Sequence, residues 1–384
     1  MISGDNERIM LRAVELAERG RWLTPPNPCV GAVLVKDGII IAEGWHRGYG
    51  YPHAEVEAIT DCRRKGFDPA DCSLWVTLEP CNHIGKTPPC TRAILEAGIG
   101  EVFVGTTDPN PFVTGGSVAF LREQGVIVHT DIAFQACKDL IADFRVWKLG
   151  QRPYVVLKLA CTLDGKIATR IGHSQWISGP EARAEVHKLR SRVQAVLVGG
   201  HTFVQDNPRL TARRAEYGRS IENAIKDKGL FQQPLAIVVT SCLPKPDAPY
   251  YLLQHRPTET IFFTTKSAAA SKNAIMLKHL GCRVWGLNPS GRNIDLSQGL
   301  HRLWKDLQCS YLLCEGGNTL GIRLFNAGLA DELWLYLAPK VLGDAHAIAL
   351  FTGRNVRNMN QALMLRICSM RQVGQDVALV LRTR

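Results

Sequence analysis

One histidine, one glutamate and two cysteines stand in an order that few folds can accommodate. His53 and Glu55 open a predicted helix, Cys81 follows a predicted strand, and Cys90 begins the next predicted helix. One imidazole and two thiolates are good ligands for Zn²⁺, and three protein ligands leave a fourth position for water. The partial positive charge at a helix N-terminus helps to keep thiolates deprotonated. The sequence therefore predicts a catalytic zinc site held by His53, Cys81 and Cys90.

Glu55 stands two residues after the histidine, which suits a proton shuttle better than a fourth ligand. Deamination moves a proton from an activated water to a ring nitrogen and to the departing ammonia. The order His-x-Glu followed by Pro-Cys is typical of zinc deaminases, in which two residues usually separate the cysteines. Here eight residues, 82–89, separate them. A structural zinc site usually has four protein ligands, and the sequence offers no convincing fourth.

The chain has 384 residues, enough for two or three domains. Its first part alternates helices and strands, which predicts a mixed sheet covered by helices. A hairpin is predicted about Asp37, because Asp-Gly stands between two apolar runs. A continuous helix is predicted over 133–150. We place the domain boundary at its end, which gives domains 1–150 and 151–384.

Charge and cysteine content restrict the compartment and the partners. The twelve cysteines are scattered rather than arranged as a disulfide framework, and the first residues lack the layout of a secretory signal. We therefore expect reduced thiols and a cytoplasmic protein, and the lack of a long apolar run predicts no membrane span. The net charge is +11. Because it is dispersed, it favours anionic small molecules over nucleic acid.

Seven segments resemble the bifunctional riboflavin-biosynthesis deaminase-reductases. Those in the first domain are PNPCVGAVLVKDG, HAEVEA and TLEPCNHIGKTPPC. Those in the second domain are KLACTLDGKIA, SQWISG, DNPRLTAR and CEGGNTLG. In that family the two cysteines are separated by a loop of this longer kind, so the unusual cysteine spacing becomes a specific match. The resemblance covers nearly the whole chain, apart from a polar stretch after Arg213.

The resemblance implies two folds and two activities. The first domain would have a cytidine-deaminase-like αβα fold. With Zn²⁺ and Glu55 as catalytic residue, it would deaminate 2,5-diamino-6-(5-phosphoribosylamino)pyrimidin-4-one. The second would have a dihydrofolate-reductase-like α/β fold and would use NADPH to reduce the ribosyl group to ribityl, by hydride delivery to C1′. The implied substrate is a phosphorylated pyrimidine and the implied assembly a homodimer, with neither nucleic acid nor membrane as a partner.

The resemblance also implies binding residues. Substrate positions of the deaminase domain are Asn27, His46, Lys86 and Thr87. Substrate positions of the reductase domain are Ser174, Arg190, Leu210, Arg213 and Glu315. Cofactor positions are Ala160, Trp176, Thr202, Asp206, Ser241, Gly317, Asn318, Thr319, Leu320 and Gly321. Lysine binds phosphate as a point charge and arginine binds it bidentately, which suits the lysine and the two arginines to phosphate.

Read without the resemblance, several of these residues have simpler explanations. Residues 315–321 form a Gly-rich strand–helix junction where phosphate can bind, but the motif is not G-x-G-x-x-G and a structural turn explains it as well. Asn27 suits a turn between prolines. Trp176 suits a core, and Arg190 and Arg213 suit a solvated surface.

Two alternatives to the riboflavin enzyme stay open at this point. The first is a tRNA base deaminase with a C-terminal RNA-binding module, which would need aromatic stacking and clustered basic residues. The second is a non-catalytic nucleotide-binding protein with a structural zinc. The intact set of His53, Glu55, Cys81 and Cys90 argues against the second.

Overall fold

The computed structural model describes residues 4–84, 88–110, 116–213, 233–291 and 293–383. The chain forms two compact units, with the boundary between Gln151 and Arg152. Within the described residues no helix is both long enough and apolar enough to cross a membrane.

The first unit contains a five-stranded sheet and several helices. Its strands are β1 (Gly31–Lys36), β2 (Ile39–Trp45), β3 (Ser73–Val76), β4 (Glu101–Val104) and β5 (Ile127–His129). Its helices are α1 (Gly4–Glu18), α2 (Ala54–Arg64), α3 (Cys90–Glu96), α4 (Ser117–Glu123), α5 (Phe134–Leu140) and α6 (Ala142–Arg145). The strand order is β2-β1-β3-β4-β5, with β1 antiparallel to both neighbours and β3, β4 and β5 parallel.

Alternating side chains of β1 show why helices cover both faces of this sheet. Ala32 and Leu34 belong to a buried cluster with α2, α3 and α4, whereas Val33 and Val35 belong to a cluster with α1 and α5. Successive strand residues point to opposite faces, so one apolar strand supplies both cores. The αβα arrangement predicted for this unit is therefore confirmed.

The predicted hairpin about Asp37 is also confirmed. β1 and β2 pair antiparallel on either side of Asp37 and Gly38, whose φ angles are 51° and 75°. Two successive residues with positive φ are typical of the tight hairpin turn that Asp-Gly favours.

The prediction of one continuous helix over 133–150 is wrong. The chain leaves helical geometry at Ile141, between α5 and α6, where φ is −99° and ψ is 21°. The carboxylate of Asp143 accepts a hydrogen bond from the backbone N–H of Phe144 at 2.7 Å, and such side-chain bonds compete with the helical ladder. After α6 the chain continues as a π-helical turn, Val146–Gly150.

The second unit contains a nine-stranded sheet and two small two-stranded ones. Its strands are β6 (Tyr154–Thr162), β7 (Lys166–Ala168), β8 (Ala195–Gly199), β9 (Leu235–Val239), β10 (Thr260–Thr265), β11 (Arg283–Leu287), β12 (Pro289–Ser290), β13 (Asn293–Ile294), β14 (Tyr311–Cys314), β15 (Glu332–Ala338), β16 (Ile348–Ala349), β17 (Leu365–Val373) and β18 (Asp376–Thr383). Its helices are α7 (Pro180–Arg190), α8 (Gly200–Asp206), α9 (Tyr251–His255), α10 (Lys266–Ala269), α11 (Lys272–His279), α12 (Leu296–Leu307) and α13 (Asn318–Asn326).

The large sheet has the order β11-β10-β9-β8-β14-β6-β15-β18-β17. The seven strands from β11 to β15 run parallel, and β18 and β17 complete the sheet antiparallel. Leucines of α12 and α13 pack in one buried cluster with β6, β8 and β14, and α7 packs with β15, β17 and β18 in another. The carboxyl ends of the parallel strands meet at one edge, which is where open α/β sheets bind ligands.

Candidate active sites

The three predicted zinc ligands lie together in the first unit. His53 is the N-cap residue of α2, Cys81 lies in the loop after β3, and Cys90 is the first residue of α3. His53 Nδ1 is 3.2 Å from Cys90 Sγ and 3.5 Å from Cys81 Sγ, and all three ligand atoms lie within 4.8 Å of one another. Two helix N-termini and one strand end thus bring together residues from separate segments.

The donor set fits zinc. One imidazole nitrogen and two sulfurs at this spacing match the ligands of catalytic zinc sites, which keep one position open. Hydrogen bonds from the Cys90 thiol, and then from His53, lower the pKa of Cys81 to about 4 against the opposing effect of burial. The backbone N–H of Cys90 also donates to Cys81 Sγ at 3.4 Å. A thiolate is therefore favoured at Cys81, as metal binding requires.

Glu55 lies in the first turn of α2 and is 3 % exposed. Burial, followed by the nearby charge of Cys81, raises the pKa of this carboxyl group. A carboxyl group that holds a proton more tightly than usual is suited to accept one and pass it on near neutral pH. The arrangement supports the role of proton shuttle rather than ligand.

A cavity of about 250 Å³ opens beside these residues, and Asn27 and His46 line it together with His53 and Glu55. His46 Nδ1 lies 3.0 Å from the carbonyl oxygen of Pro52, which only accepts hydrogen bonds, so Nδ1 must be the donor. His46 Nε2 then accepts from Asn27 Nδ2 at 3.2 Å. The structure therefore places both predicted substrate residues in the pocket, with Asn27 bonded to His46.

Lys86 and Thr87, the other predicted substrate residues of this domain, lie outside the described residues.

Two acidic residues that the sequence did not single out also line this cavity, Glu79 and Asp108. Glu79 Oε2 accepts from the backbone N–H of Asp108 at 3.2 Å, and its Oε1 accepts from Ser117 Oγ at 2.7 Å. Glu79 thus fixes the loop after β4, to which Asp108 belongs. Burial raises the pKa of the Asp108 carboxyl group. The only sequence signal for Glu79 was its position two residues before Cys81.

In the second unit a bidentate ion pair joins two predicted substrate residues. Arg190, at the end of α7, donates to both carboxylate oxygens of Glu315, at 2.6 and 2.8 Å. It also donates to the carbonyl oxygen of Thr211 at 3.1 Å. Burial would raise the pKa of Glu315, but the charge and hydrogen bonds of Arg190 outweigh it, so the pKa is lowered. The guanidinium that we predicted to clamp phosphate thus forms a bidentate ion pair with Glu315.

Lys158 is a half-buried charge near this pair that the sequence did not reveal. It lies on β6 within an apolar run, its ammonium group is 5.5 Å from the ring centre of Tyr336, and burial lowers its pKa. The charges of Glu315 and Arg190 both act on it. A lone Lys in an otherwise apolar strand was the available signal.

The predicted cofactor turn combines a closely packed glycine with an open one. A Cβ atom added to Gly316 would lie 2.6 Å from the Leu320 side chain, which would have to shift to admit it. Gly317, the N-cap residue of α13, faces Thr202 of α8, whose Oγ1 lies 3.9 Å from where a Cβ would stand. An open backbone at the start of a nine-residue helix fits the anionic part of a dinucleotide.

The remaining cofactor positions of α13 divide between buried and accessible residues. Leu320 and Gly321 are buried, whereas Thr319 is exposed and donates from its backbone N–H to Asn318 Oδ1 at 2.8 Å. Ala160 is half-buried on β6, and Asp206 ends α8.

Four further residues predicted to bind substrate or cofactor differ in their exposure to solvent. Trp176 is 62 % exposed, with the Arg183 guanidinium 4.5 Å from its ring centre, so it is not a core residue. Ser174 is half-buried and Arg213 exposed. Leu210 is buried, with φ at 51°, a conformation that L-residues other than Asn and Asp seldom adopt outside functional or strained sites.

Two family descriptions match the chain, one in each half. "RibD C-terminal domain" matches residues 153–379, and "Cytidine and deoxycytidylate deaminase zinc-binding region" matches residues 3–106. Because the first of these spans most of the second unit, a C-terminal RNA-binding module is not favoured.

Full-length relatives agree with both matches. The riboflavin biosynthesis protein RibD of Escherichia coli is 36% identical over 380 residues, covering 97% of this chain and 98% of the relative. That of Aquifex aeolicus is 35% identical, covering 99% of each. Among solved structures, RibD of Acinetobacter baumannii superposes with a TM-score of 0.75 at 32% identity, covering 99% of both chains. A Thermotoga maritima diaminohydroxyphosphoribosylaminopyrimidine deaminase/5-amino-6-(5-phosphoribosylamino)uracil reductase gives the same score, identity and coverage.

Proposed function

The chain belongs to the RibD family of riboflavin-biosynthesis proteins, and on this premise we propose which of its residues perform the deaminase and reductase reactions of that family. It is a bifunctional enzyme of riboflavin biosynthesis that acts on a small molecule, with zinc and NADPH as cofactors. We assign deamination to domain 1–150 and reduction to domain 151–384.

In the deaminase domain, His53, Cys81 and Cys90 would hold the metal. Zinc, when bound, supplies a Lewis acid that makes water nucleophilic near neutral pH. Glu55 accepts the proton that this water releases and delivers it to the pyrimidine ring nitrogen. The oxygen of the water bonds to the amino-bearing ring carbon as a hydroxyl group. Glu55 then takes the proton of that hydroxyl group and transfers it to the amino group, which leaves as ammonia while the oxygen remains on the ring as a carbonyl. Burial of Glu55 supports this role, because it raises the affinity of the carboxylate for the proton in transit.

Asn27 and His46 would orient the pyrimidine of 2,5-diamino-6-(5-phosphoribosylamino)pyrimidin-4-one. Their mutual hydrogen bond fixes the amide and the imidazole at the wall of the pocket. The loop that separates the cysteines would supply Lys86 and Thr87 to the ribose phosphate, as the family resemblance implies.

In the reductase domain, Glu315 and Arg190 would form the floor of the substrate site. Arg190 holds the carboxylate of Glu315 ionised and fixed at the carboxyl end of β14, where it can accept hydrogen bonds from ribosyl hydroxyl groups. Arg213, which is exposed, is the better candidate to bind the substrate phosphate, with Ser174 and the backbone at Leu210 nearby in the family pattern. NADPH, when bound, supplies the hydride for C1′.

The observation that supports this assignment most directly is the cluster of one imidazole and two sulfurs beside a buried glutamate. The test is Glu55→Gln in the full chain, assayed for ammonia release and, separately, for NADPH oxidation with deaminated substrate. We expect ammonia release to fall by about 100- to 10,000-fold, with zinc content and NADPH oxidation unchanged. Loss of both activities in a folded, zinc-loaded variant would contradict the assignment of independent sites.

We further propose that the enzyme is a cytoplasmic homodimer that binds neither nucleic acid nor membrane. Dispersed positive charge and free cysteines support this proposal, and closed two-fold dimers are the commonest soluble oligomers. Light scattering on the purified chain would measure the assembly. Addition of tRNA should leave ammonia release unchanged, and inhibition or activation by tRNA would overturn that part of the proposal.

A further inference from the structure

A cavity of about 600 Å³ opens at the carboxyl ends of four neighbouring parallel strands, β8, β9, β10 and β11. Gly200 borders it after β8, Ser241 after β9 and Lys266 after β10, while Leu287 closes β11. Arg323 reaches it from α13. Among the predicted cofactor residues, Ser241 lines this cavity. Its other polar groups have no role in the function proposed above.

Arg323 is the most informative of these groups. It is half-buried, and burial lowers the pKa of its guanidinium. Within the described chain it donates to the carbonyl oxygen of Ile294 at 3.0 Å and pairs with no carboxylate. A partly desolvated cation without an ionic partner is costly, and a bound anion would offset that cost. The arrangement therefore favours an anionic ligand at this wall of the cavity.

The rest of the lining is consistent with an anion. No aspartate or glutamate occurs among the described residues that border the cavity. Lys266 is exposed there and forms no ion pair with any described residue. Ser241 and Ser267 add hydroxyl groups, which donate readily to phosphate oxygens. Two cations and two hydroxyl groups thus converge from the ends of β9, from α10 and from α13.

The cavity also lies on the path that a dinucleotide would follow. Gly200, at the border of the cavity, is the first residue of α8. Thr202 of the same helix faces the Gly317 turn after β14. From β14 the sheet continues outward through β8 and β9 to β10. With strands about 4.8 Å apart, Lys266 lies about 14 Å from the turn. A cofactor with its pyrophosphate at the turn and its nicotinamide towards β6 would place its adenosine end in the cavity.

We propose that Arg323 and Lys266 bind the 2′-phosphate on the adenosine ribose of NADPH and so determine the preference of this reductase for NADPH over NADH. This inference rests on the reductase function proposed above. Rossmann-fold sites for NADH place a carboxylate on the ribose 2′-hydroxyl, whereas those for NADPH place an arginine on the 2′-phosphate, and the same charge complementarity applies in any fold. The cavity has the arginine and, in its described lining, lacks the carboxylate.

The test measures binding rather than turnover. The full-length zinc-loaded chain is titrated with NADPH and with NADH by calorimetry, and then with adenosine 2′,5′-bisphosphate and adenosine 5′-monophosphate. Arg323→Gln should weaken NADPH binding by about 10- to 100-fold, the range for a lost charge-assisted hydrogen bond. Lys266→Gln should have a smaller effect, about 3- to 10-fold, because the side chain is exposed. Affinity for NADH and for the monophosphate should change less than about two-fold.

Matched variants separate charge from folding. Arg323→Lys keeps the charge and should retain part of the preference for NADPH. Arg283→Gln removes one positive charge from the opposite end of β11 and should leave every affinity at the wild-type value. Lys272→Gln, in α11 and outside the cavity lining, is the corresponding control for Lys266.

The outcomes are distinguishable. Unchanged affinities for NADPH and NADH in Arg323→Gln and Lys266→Gln overturn the proposal. An equal loss of both affinities also overturns it, because the two residues would then bind a part that both cofactors share. A wild-type chain that binds both cofactors equally also overturns it and leaves the reductase function standing. A wild-type chain that neither binds nor oxidises NADPH would instead contradict the proposed function itself.

Discussion

The two candidate sites of this chain differ in how far apart their residues lie in the sequence. In the deaminase pocket the three candidate metal ligands and Glu55 come from residues 53–90, on two helix N-termini and one loop. In the reductase unit the central pair, Arg190 at the end of α7 and Glu315 after β14, is separated by 125 positions and meets only in the folded chain. A site built from adjacent segments can be recognised in the sequence as a motif with a fixed residue order. A site built from distant segments appears in the sequence only as isolated residues.

The electrostatics of the two sites differ as well. In the deaminase pocket the carboxyl group of Glu55 is buried, no cationic side chain among the described residues bonds to it, and its pKa rises. In the reductase site the carboxyl group of Glu315 is largely buried and pairs with Arg190, and its pKa falls. The same burial therefore prepares one carboxylate to exchange protons and the other to remain ionised.

Removal of a metal ligand should separate the two sites most sharply. In Cys81→Ala, zinc content should fall from about one ion per chain to almost none, because two protein ligands hold zinc poorly. Ammonia release should fall by more than about 1,000-fold, while NADPH oxidation with deaminated substrate stays at the wild-type rate. Metal analysis and the two assays check this. Cys72→Ala, which changes a buried cysteine outside the ligand cluster, should keep its zinc.

The largely buried ion pair of Arg190 and Glu315 predicts an effect on stability that depends on pH. The pKa of Glu315 lies below its ordinary value of 4.5 in the folded chain. Its ionised form therefore stabilises the fold above about pH 4.5, and this contribution disappears as the pH falls through the lower, folded-state pKa. Glu315→Gln should cost about 3 kcal/mol at pH 7, since it leaves Arg190 without its partner, and the difference from wild type should shrink below pH 4.

Urea denaturation of both chains at pH 7 and pH 3.5 measures this difference. Asp344→Asn, which breaks an exposed pair with Arg170, should change stability much less at either pH. A penalty for Glu315→Gln that is equal at the two pH values would show that Glu315 is not held ionised by folding.

The sequence predicted the parts of this molecule that depend on neighbours along the chain. Residue order alone brought His53, Cys81 and Cys90 into one hypothesis, because strand ends and helix starts place consecutive segments side by side. The Asp37-Gly38 hairpin followed from local turn chemistry. The family resemblance added the second domain and its cofactor.

Apart from one local break in a helix, the features that escaped prediction depend on contacts between distant segments. Periodicity cannot show the break at Ile141, which is a local competition for hydrogen bonds. The partial burial of Lys158, and the pairing of Arg190 with Glu315, follow from which strands become neighbours. Among the described residues no carboxylate pairs with Arg323, and no sequence motif indicates this.

A scaffold position should affect the deaminase site without touching it. Gly44 on β2 lies against the first turn of α2, and a Cβ atom there would stand 2.3 Å from the carbonyl oxygen of Ala54. Gly44→Ala should therefore shift the turn that presents His53 and Glu55. We expect zinc affinity to fall by about 10- to 100-fold, as when supporting contacts of metal ligands are lost. Competition with a chromophoric chelator measures it.

Gly100→Ala is the control for this substitution, because a Cβ atom at that position meets nothing within 4 Å. It should bind zinc as tightly as the wild type. Wild-type zinc affinity in Gly44→Ala would mean that α2 is positioned by contacts other than its approach to β2.

The smallest expected effect concerns Asn27, and it decides between a binding residue and a turn residue. The Asn27 amide donates to His46 Nε2 at 3.2 Å, and an ordinary hydrogen bond of this kind is worth about 1 kcal/mol. Asn27→Ala should therefore raise the KM for the diaminopyrimidinone by about five-fold, with little change in kcat.

Asn27→Asp sharpens the test, since aspartate suits the turn as well as asparagine does but has no amide to donate. If Asn27 only shapes the turn, this variant should behave as the wild type. If the amide orients His46 in the pocket, Asn27→Asp should raise KM at least as much as Asn27→Ala. Because a carboxylate beside the imidazole favours its protonation, the pH profile of kcat/KM should also change in Asn27→Asp and stay constant in Asn27→Ala.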